Sequence, residues 1–196
     1  MTTSPTFRSA TLADACALAV LVDIAGEGAP NWLWHSLARP GQSALEVGRD
    51  RARREEGGFS YRHATLAELG AEIAACLIAY PLDDPYELTG LDDLPPLAQP
   101  LVRLEAQAPG SWYVNVLATF PEFRGQGIGA GLLAIAEEKA RAAGANTASI
   151  IVGNWNTGAI RLYQRAGYRT IANEPAVLPP ELPQSGDWVL LTRPLP

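Results

Sequence analysis

A glycine-rich turn past the middle of the chain is the segment whose residue types and spacing most clearly suggest chemistry. A strand-like run over residues 111–119 leads through Phe-Pro-Glu-Phe into Arg124–Gly129, and a segment with helical periodicity follows to about Gly144. The first N–H groups of a helix have no intrahelical acceptor, and the helix dipole adds positive potential there. Glycine also lets the backbone approach a ligand closely. The turn therefore predicts a binding site for a phosphorylated ligand.

Two other phosphate-binding loops fit this turn poorly. A Walker-type loop requires Lys-Ser or Lys-Thr after its glycines, and neither pair follows them here. A dinucleotide fingerprint is compatible with the spacing of Gly125, Gly127 and Ala130. It requires, however, an acidic residue about 20 positions further on, to bind the ribose. The corresponding segment, residues 150–154, has no carboxylate. The spacing therefore disfavours a dinucleotide site.

The turn and the segments after it resemble the GNAT superfamily of N-acetyltransferases. Arg124, Gly127 and Gly129 match that family's pyrophosphate loop, and residues 148–152 resemble its fifth strand. The next helix and the entry to the sixth strand are matched by Asn156, Ala159, Tyr163, Gly167 and Tyr168. A glycine-rich hexapeptide alone is weakly specific, whereas the ordered set over residues 111–168 is specific for cofactor and chemistry. It carries little information about the acceptor.

The resemblance implies that acetyl-CoA is the co-substrate. The residues that would bind its pyrophosphate are Arg124, Gly125, Gln126, Gly127, Ile128, Gly129 and Ala130. The family splays its fourth and fifth strands apart, and the pantetheine arm fills the gap. Backbone groups of Leu117, Ala118 and Thr119 would face that arm, and Asn156 and Ala159 would lie beside the cofactor. The alternative interpretation of the turn is a tight connection that serves only strand–helix packing.

Tyr163 is the candidate general acid. Acetyl transfer from a thioester passes through a tetrahedral intermediate, and the departing sulfur benefits from a proton. A phenol with a pKa of about 10 can protonate a thiolate whose acid has a pKa of about 8.5, if the two are close. Ala159 and Tyr163 are four residues apart, so they share one helix face. The alternative role for Tyr163 is packing in the core.

The general base has no direct candidate on the fourth strand. Family members often place a carboxylate or histidine there, whereas this strand offers Tyr113 and Asn115. The attacking amine must be neutral, and we predict that a water oriented by Asn115 and Tyr113 takes its proton. Glu105 and His35 are alternatives. Composition alone favours a solvated glutamate and a packed histidine at these two positions.

The acceptor pocket is predicted in the helices over about residues 29–57, because the family builds it from the segment after its first helix. Trp32, Trp34, His35 and, on the fourth strand, Tyr113 are the candidate substrate-binding residues. The alternative role for the tryptophans is in the core or at an interface. A proline- and aspartate-rich insertion over about residues 81–109 is predicted to cover part of this pocket. An alternative makes the insertion a dimer contact, which would give a homodimer.

Periodicity predicts an α/β (α+β) fold. The predicted helices cover about residues 11–25, 29–40, 43–56, 97–107 and 127–143. The predicted strands cover about residues 6–10, 60–69, 72–80, 111–119, 148–152, 168–173 and 187–192, with a hairpin at 60–80. In the helix at 127–143, Glu137 is expected on the solvent side. One parallel crossover after residue 120 indicates a mixed sheet flanked by helices. The resemblance implies a single domain, residues 1–196, with a mostly antiparallel sheet splayed between its fourth and fifth strands.

Composition excludes several classes of protein. The net charge of −6 argues against a nucleic-acid partner and is compatible with a cationic acceptor. No apolar run approaches about 18 residues, so no membrane span is predicted. The N-terminus lacks the apolar region of a secretory signal, which favours a cytoplasmic protein. Cys16 and Cys76 are too few for a disulfide framework and are expected to be small buried residues. No metal site is predicted.

Two functions follow from these observations. The first is an acetyl-CoA-dependent N-acetyltransferase acting on a primary amine of a small molecule or a peptide. The second is a non-catalytic acyl-CoA-binding or regulatory domain of the same fold, suggested by the absence of a carboxylate on the fourth strand.

Overall fold

Six α-helices and seven strands lie within residues 4–195, the part of the chain that this computed structural model describes. The α-helices are α1 (Ala15–Ala25), α2 (Ala29–Leu37), α3 (Ala44–Ala52), α4 (Gln99–Glu105), α5 (Ile128–Ala142) and α6 (Thr157–Arg165). The strands are β1 (Thr6–Ser9), β2 (Ala64–Leu69), β3 (Glu72–Pro81), β4 (Trp112–Thr119), β5 (Thr147–Gly153), β6 (Arg169–Pro175) and β7 (Asp187–Pro194). None of the helices within these residues is both long and apolar enough to cross a membrane.

The strands form a mixed sheet, as predicted. Their hydrogen-bonded order is β1-β2-β3-β4-β5-β7-β6. The pairs β1–β2, β2–β3, β5–β7 and β6–β7 are antiparallel, and β4–β5 is parallel. Parallel neighbours need a crossover connection, and here the crossover is α5. The hairpin of β2 and β3 is confirmed, with a bulge between Ala67 and Glu68. The prediction of a mixed, mostly antiparallel sheet flanked by helices is confirmed.

The backbone packs into two compact units. Of the described residues, one unit comprises residues 4–79 together with Asn115–Leu133, and the other comprises Tyr80–Val114 together with residues 134–195.

In the first unit, α2 and α3 pack through Trp34. Its ring stacks on Phe59 with a centroid separation of 5.8 Å, and Trp34 is only 2% exposed. Gly48 of α3 lies against the same ring, so closely that a Cβ atom there would come within 2.5 Å of a ring carbon. A glycine at residue 48 therefore determines how closely α3 approaches the indole.

The start of α3 is a capping box, in which Ser43 and Glu46 satisfy each other's backbone N–H groups.

A charged cluster ties β1 to the start of the first helical segment. The Arg8 guanidinium donates two hydrogen bonds to Asp14, of 2.8 and 2.9 Å, and a third to Glu68 of 2.7 Å. The backbone N–H of Thr11 also donates to Asp14, at 2.7 Å. Chiefly because of the Arg8 hydrogen bonds, the pKa of Asp14 is lowered to about 2. The ionised carboxylate is thus preferred in the folded protein.

Asp14→Asn is expected to lower the free energy of unfolding by about 1–2 kcal/mol near neutral pH, a figure reduced for the partial exposure of Arg8. The folded pKa of Asp14 lies below its ordinary value of 3.8. Its contribution is therefore complete above pH 3.8 and is lost as the pH falls through about 2. Urea unfolding of the wild type and of Asp14→Asn should give free energies of unfolding that converge as the pH falls from 3.8 to about 2. Asp92→Asn, at an exposed position, is the control, and a pH-independent difference would contradict the assignment.

In the second unit, Leu104 and Ala108 pack with Leu190 of β7. The expectation that Glu137 faces solvent is wrong. Glu137 is 7% exposed and is hydrogen-bonded to Arg193 of β7, with Arg141 one turn along α5 at 3.6 Å. Two guanidinium groups compensate the loss of hydration of this carboxylate. Burial was also predicted for both cysteines; Cys76 is buried but Cys16 is exposed.

Two predicted boundaries differ from the structure. The helix expected to reach residue 56 ends at Ala52, and the strand expected from Ser60 begins at Ala64. Between them Ser60 caps a short 3-10 helix, Tyr61–His63, by accepting from the N–H of Arg62 at 3.2 Å. Its hydroxyl also donates to the carbonyl of Arg54 at 2.5 Å. Local side-chain hydrogen bonds of this kind compete with regular helix and strand structure.

Candidate functional site

β4 leads into the glycine-rich turn. Its parallel ladder with β5 consists of three pairs, from Trp112–Ala148 to Val114–Ile150. The remainder of β4, Asn115–Thr119, lies beyond this ladder, as the predicted opening between the fourth and fifth strands requires. After the strand ends, the N–H of Phe120 donates to the carbonyl of Ala74 at 2.9 Å. The first unit thus anchors the strand end through β3.

The turn itself has the backbone geometry of an anion site. Gly125 and Gly127 have φ values of +77° and +79°, which disfavour side chains. A Cβ on either would meet no heavy atom of the described residues within 4 Å. The N–H of Gly131 donates to the carbonyl of Gly127 at 3.1 Å, so the amides of residues 128–130 precede the first helical hydrogen bond of α5. These amides are available to a ligand.

Two side chains fix the turn at its ends. The Nε of Arg124 donates to the carbonyl of Thr119 at 3.2 Å, and Ile128 is 2% exposed. Arg124, Gly125, Gln126 and Gly127 are exposed. The predicted pyrophosphate loop is therefore an exposed backbone surface with a cationic side chain, anchored by one buried residue.

In the second unit, α6 and the residue that caps it supply three predicted site residues. Asn156 caps the helix, accepting from the N–H of Ala159 at 3.1 Å. Tyr163 lies one turn beyond Ala159 and is 5% exposed. Its ring centroid is 6.2 Å from that of Tyr168. Burial raises the pKa of Tyr163 well above its ordinary value. The phenol therefore keeps its proton at neutral pH, as a general acid must.

Tyr113 and Asn115 are two residues apart on β4, which places their side chains on the same side of the strand. Asn115 is partly buried. Tyr113 is 3% exposed, and its ring meets that of Tyr80 edge to face at 5.8 Å. Burial also raises the pKa of Tyr113 well above its ordinary value.

Glu105, at the end of α4, is not the solvated residue that composition suggested. It is partly buried, accepts a hydrogen bond from Tyr86 at 2.5 Å, and lies near enough to Tyr113 for that phenol to affect its pKa. Burial raises the pKa of Glu105, against the opposing effect of these two phenols. Tyr80 and Tyr86 were absent from the predicted site. Their relation to Glu105 depends on folding of the 81–109 insertion, and no spacing in the sequence indicates it.

The predicted acceptor residues of α2 do not share one face. Trp32 is 39% exposed, and His35, three residues on, is exposed beside it. The expectation of a packed histidine is therefore wrong. Trp34 points into the first unit, against Phe59. Trp32 and His35 thus lie on the exposed surface of α2, whereas Trp34 is buried and packs against Phe59.

Backbone hydrogen bonds join the two ends of the insertion. The N–H of Leu82 donates to the carbonyl of Ser111 at 2.9 Å, and that of Gly110 donates to Asp83 at 3.1 Å. Leu91–Asp93 forms a short 3-10 helix, and α4 follows it.

Among residues 4–195, no group of three or more His, Cys, Asp or Glu side chains is arranged to hold a metal ion.

Comparison with known proteins identifies relatives at the level of family and fold. Residues 30–168 match the sequence model of a family described as the acetyltransferase (GNAT) family. A crystal structure of an acetyltransferase aligns with a TM-score of 0.67 at 20% identity, covering 97% of this chain and all of the other. An N-acetyltransferase from Staphylococcus aureus Mu50 aligns at 0.63 and 19%, covering 96% and 100%. No curated protein sequence matches the chain.

A third solved structure is a polyamine N-acetyltransferase of Drosophila melanogaster, described as an enzyme that forms N-acetylagmatine. It aligns with a TM-score of 0.67 at 16% identity, covering 98% of this chain and all of that one. At these levels of identity the likeness concerns the fold.

Proposed function

We propose, since the chain belongs to the GNAT family of acetyltransferases, that it is an acetyl-CoA-dependent N-acetyltransferase whose acceptor is a primary amine of a small molecule or a peptide. The observation that carries the proposal is the turn at the start of α5. There, two glycines with positive φ and the first amides of the helix follow the strand β4, a backbone arrangement that would suit an anion. The whole chain would act as one acetyltransferase domain.

The donor-binding roles follow the family pattern. The amides of Gly125–Ala130 and the side chain of Arg124 would bind the pyrophosphate. The backbone of Leu117–Thr119, beyond the β4–β5 ladder, would pair with the pantetheine arm. Asn156 would contribute by fixing the start of α6, whose small Ala159 would leave room for the cofactor. What supports these assignments is the conformation of each segment described above.

The chemistry would be direct transfer. The neutral amine nitrogen attacks the thioester carbonyl carbon, and the tetrahedral intermediate then expels the coenzyme A sulfur. Tyr163 gives its hydroxyl proton to that sulfur as the carbon–sulfur bond breaks. The amine loses one proton, which a water held by Asn115 and Tyr113 accepts. The proton that Tyr163 would give is retained at neutral pH, because burial raises the pKa of its hydroxyl.

The second candidate is a non-catalytic acyl-CoA-binding domain. It is favoured by the absence of a carboxylate on β4, Trp112–Thr119. A panel of amines separates the two candidates, with agmatine included because the Drosophila enzyme forms N-acetylagmatine. Amine-dependent release of free coenzyme A thiol is the result expected of an enzyme. If calorimetry detects binding of acetyl-CoA but no amine causes release of the coenzyme A thiol, the chain is a binding domain instead.

Trp32→Ala is expected to raise the KM for the acceptor roughly 5- to 30-fold, the cost of losing an aromatic contact worth about 1–2 kcal/mol. The affinity for acetyl-CoA should be unchanged, because Trp32 lies outside the residues proposed to bind it. Leu37→Ala is the matched control, since Leu37 is another exposed apolar residue of α2. Steady-state kinetics against both substrates checks the prediction. Equal KM values for the two variants and the wild type would remove α2 from the acceptor site.

A further inference from the structure

A carboxylate and three phenols come together in the second unit. Glu105 accepts a hydrogen bond from Tyr86 of the insertion at 2.5 Å, and Tyr113 of β4 lies near the same carboxylate. Tyr80, at the end of β3, meets the Tyr113 ring edge to face and lies close enough to interact electrostatically with Glu105. The four residues Tyr80, Tyr86, Glu105 and Tyr113, here named the tyrosine–glutamate cluster, come from four separate elements of the chain.

Glu105 forms no ion pair with a cation of the described residues. Asp83, which acts on Tyr86, is also acidic. Carboxylates removed from water are ordinarily paired with a cation or neutralised. A partly buried carboxylate among neutral phenols therefore lacks the partner that its charge requires.

We propose that the tyrosine–glutamate cluster is the binding site for the ammonium group of the acceptor, and that Glu105 takes the proton that the amine must lose. This inference rests on the proposed acetyltransferase function. It names the acceptor class as primary aliphatic amines, which carry a positive charge at neutral pH. It adds a side chain that accepts the ammonium proton before the attack, while the water proposed above accepts the second proton afterwards.

The geometry suits an alkylammonium in three ways. A carboxylate has about four lone-pair positions, and the hydrogen bond from Tyr86 occupies one of them. Glu105, Tyr80 and Tyr86 are each partly exposed, so a ligand can reach the carboxylate, whereas Tyr113 is buried and holds it from the inside. Electron-rich phenol rings also attract a cation placed over their faces.

The proton balance is simple. The ammonium N–H bond breaks, and its proton forms an O–H bond with a Glu105 carboxylate oxygen, leaving the neutral amine to attack the thioester. The second proton leaves the nitrogen after the attack and passes to the water held by Asn115 and Tyr113. Because burial raises the pKa of Glu105 above its usual range, the protonated and ionised forms interconvert closer to neutral pH than for an exposed glutamate. The rate should fall as the pH decreases through that pKa, since only the ionised form can accept the proton.

Binding of a cation can be tested without turnover. Tyrosine labelled with ¹³C at Cζ reports ionisation of Glu105 through the resonances of Tyr86 and Tyr113, which are assigned with the Tyr86→Phe and Tyr113→Phe proteins. n-Butylammonium chloride is expected to lower the pH at the midpoint of the chemical-shift titration of these resonances, because a nearby positive charge favours the ionised carboxylate. n-Butanol, with sodium chloride added to equal ionic strength, should leave it unchanged. Equal midpoints in the two solutions would overturn the ammonium site.

The kinetic test uses Glu105→Gln and a matched control. With n-butylamine as acceptor, Glu105→Gln should lower kcat/KM on the order of 10²-fold and remove the acidic inflection of its pH profile. Glu174→Gln should preserve both, although Glu174 also binds α4, accepting from Arg103 at 3.1 Å. An inflection that persists in Glu105→Gln would overturn the proton-acceptor role. If no amine is acetylated but n-butylammonium still shifts the midpoint, the proposed activity fails and the ammonium site stands.

Discussion

Tyr163→Phe is expected to lower the rate of acetyl transfer on the order of 10² to 10⁴-fold, equivalent to about 3–5 kcal/mol of transition-state stabilisation. The substitution removes one hydroxyl from a residue that is 5% exposed and keeps the ring that packs near Tyr168. The fold and the affinity for acetyl-CoA should therefore be preserved. Only proton donation to the departing sulfur is lost. Single-turnover measurements are the suitable assay, because they follow the chemical step even where product release limits kcat.

Tyr168→Phe provides the matched control for this experiment. Tyr168 is also buried, and its hydroxyl has no hydrogen-bond partner within residues 4–195. Removing that hydroxyl should leave the single-turnover rate unchanged. If Tyr163→Phe also transfers acetyl at the wild-type rate, Tyr163 is a packing residue and another group protonates the sulfur.

Gly127→Asp is expected to weaken acetyl-CoA binding by 10²-fold or more, on the order of 3 kcal/mol. The new carboxylate would stand beside the amides that are proposed to bind the pyrophosphate, and like charges repel strongly where water is partly excluded. It would also occupy space that is open in front of the turn. Isothermal titration calorimetry with acetyl-CoA measures the effect directly.

Gly144→Asp separates charge repulsion from backbone strain. Gly144 follows the C-terminal end of α5 and has a φ of +76°, close to the +79° of Gly127. A Cβ there also meets no described heavy atom within 4 Å. The two substitutions therefore impose similar strain, and Gly144→Asp should bind acetyl-CoA normally. Unchanged affinity in a folded Gly127→Asp protein would show that the pyrophosphate binds elsewhere.

The elements around the turn were predictable because their signals are local. Glycines precede α5, and Asn156 at the start of α6 is a typical helix cap. The exposure of Cys16 was also predictable. The buried positions Ala15, Leu18, Ala19 and Val22 follow helical spacing on α1, and residue 16 falls outside that set.

Other features depend on partners that are distant in sequence. Glu137 was expected in solvent because its neighbours on α5 are polar, but Arg193 of β7, 56 residues away, pairs with it. Glu105 meets Tyr86 from the other end of an irregular insertion. On α2, the sequence places three candidate residues within four positions but does not reveal that Phe59 and Gly48 will enclose Trp34. Periodicity identifies the faces of an element, whereas its partners are determined by tertiary packing.

Transfer of a ¹³C-labelled acetyl group from acetyl-CoA to a primary amine tests the central claim most directly. The protein is incubated with labelled acetyl-CoA and the best acceptor of the amine panel, and the product is identified by NMR and mass spectrometry. The proposed function predicts an N-acetylated amine carrying the label, formed in equal amount with free coenzyme A and much more slowly by Tyr163→Phe. Release of labelled acetate alone, or intact acetyl-CoA bound to the protein in the presence of every amine, would contradict it.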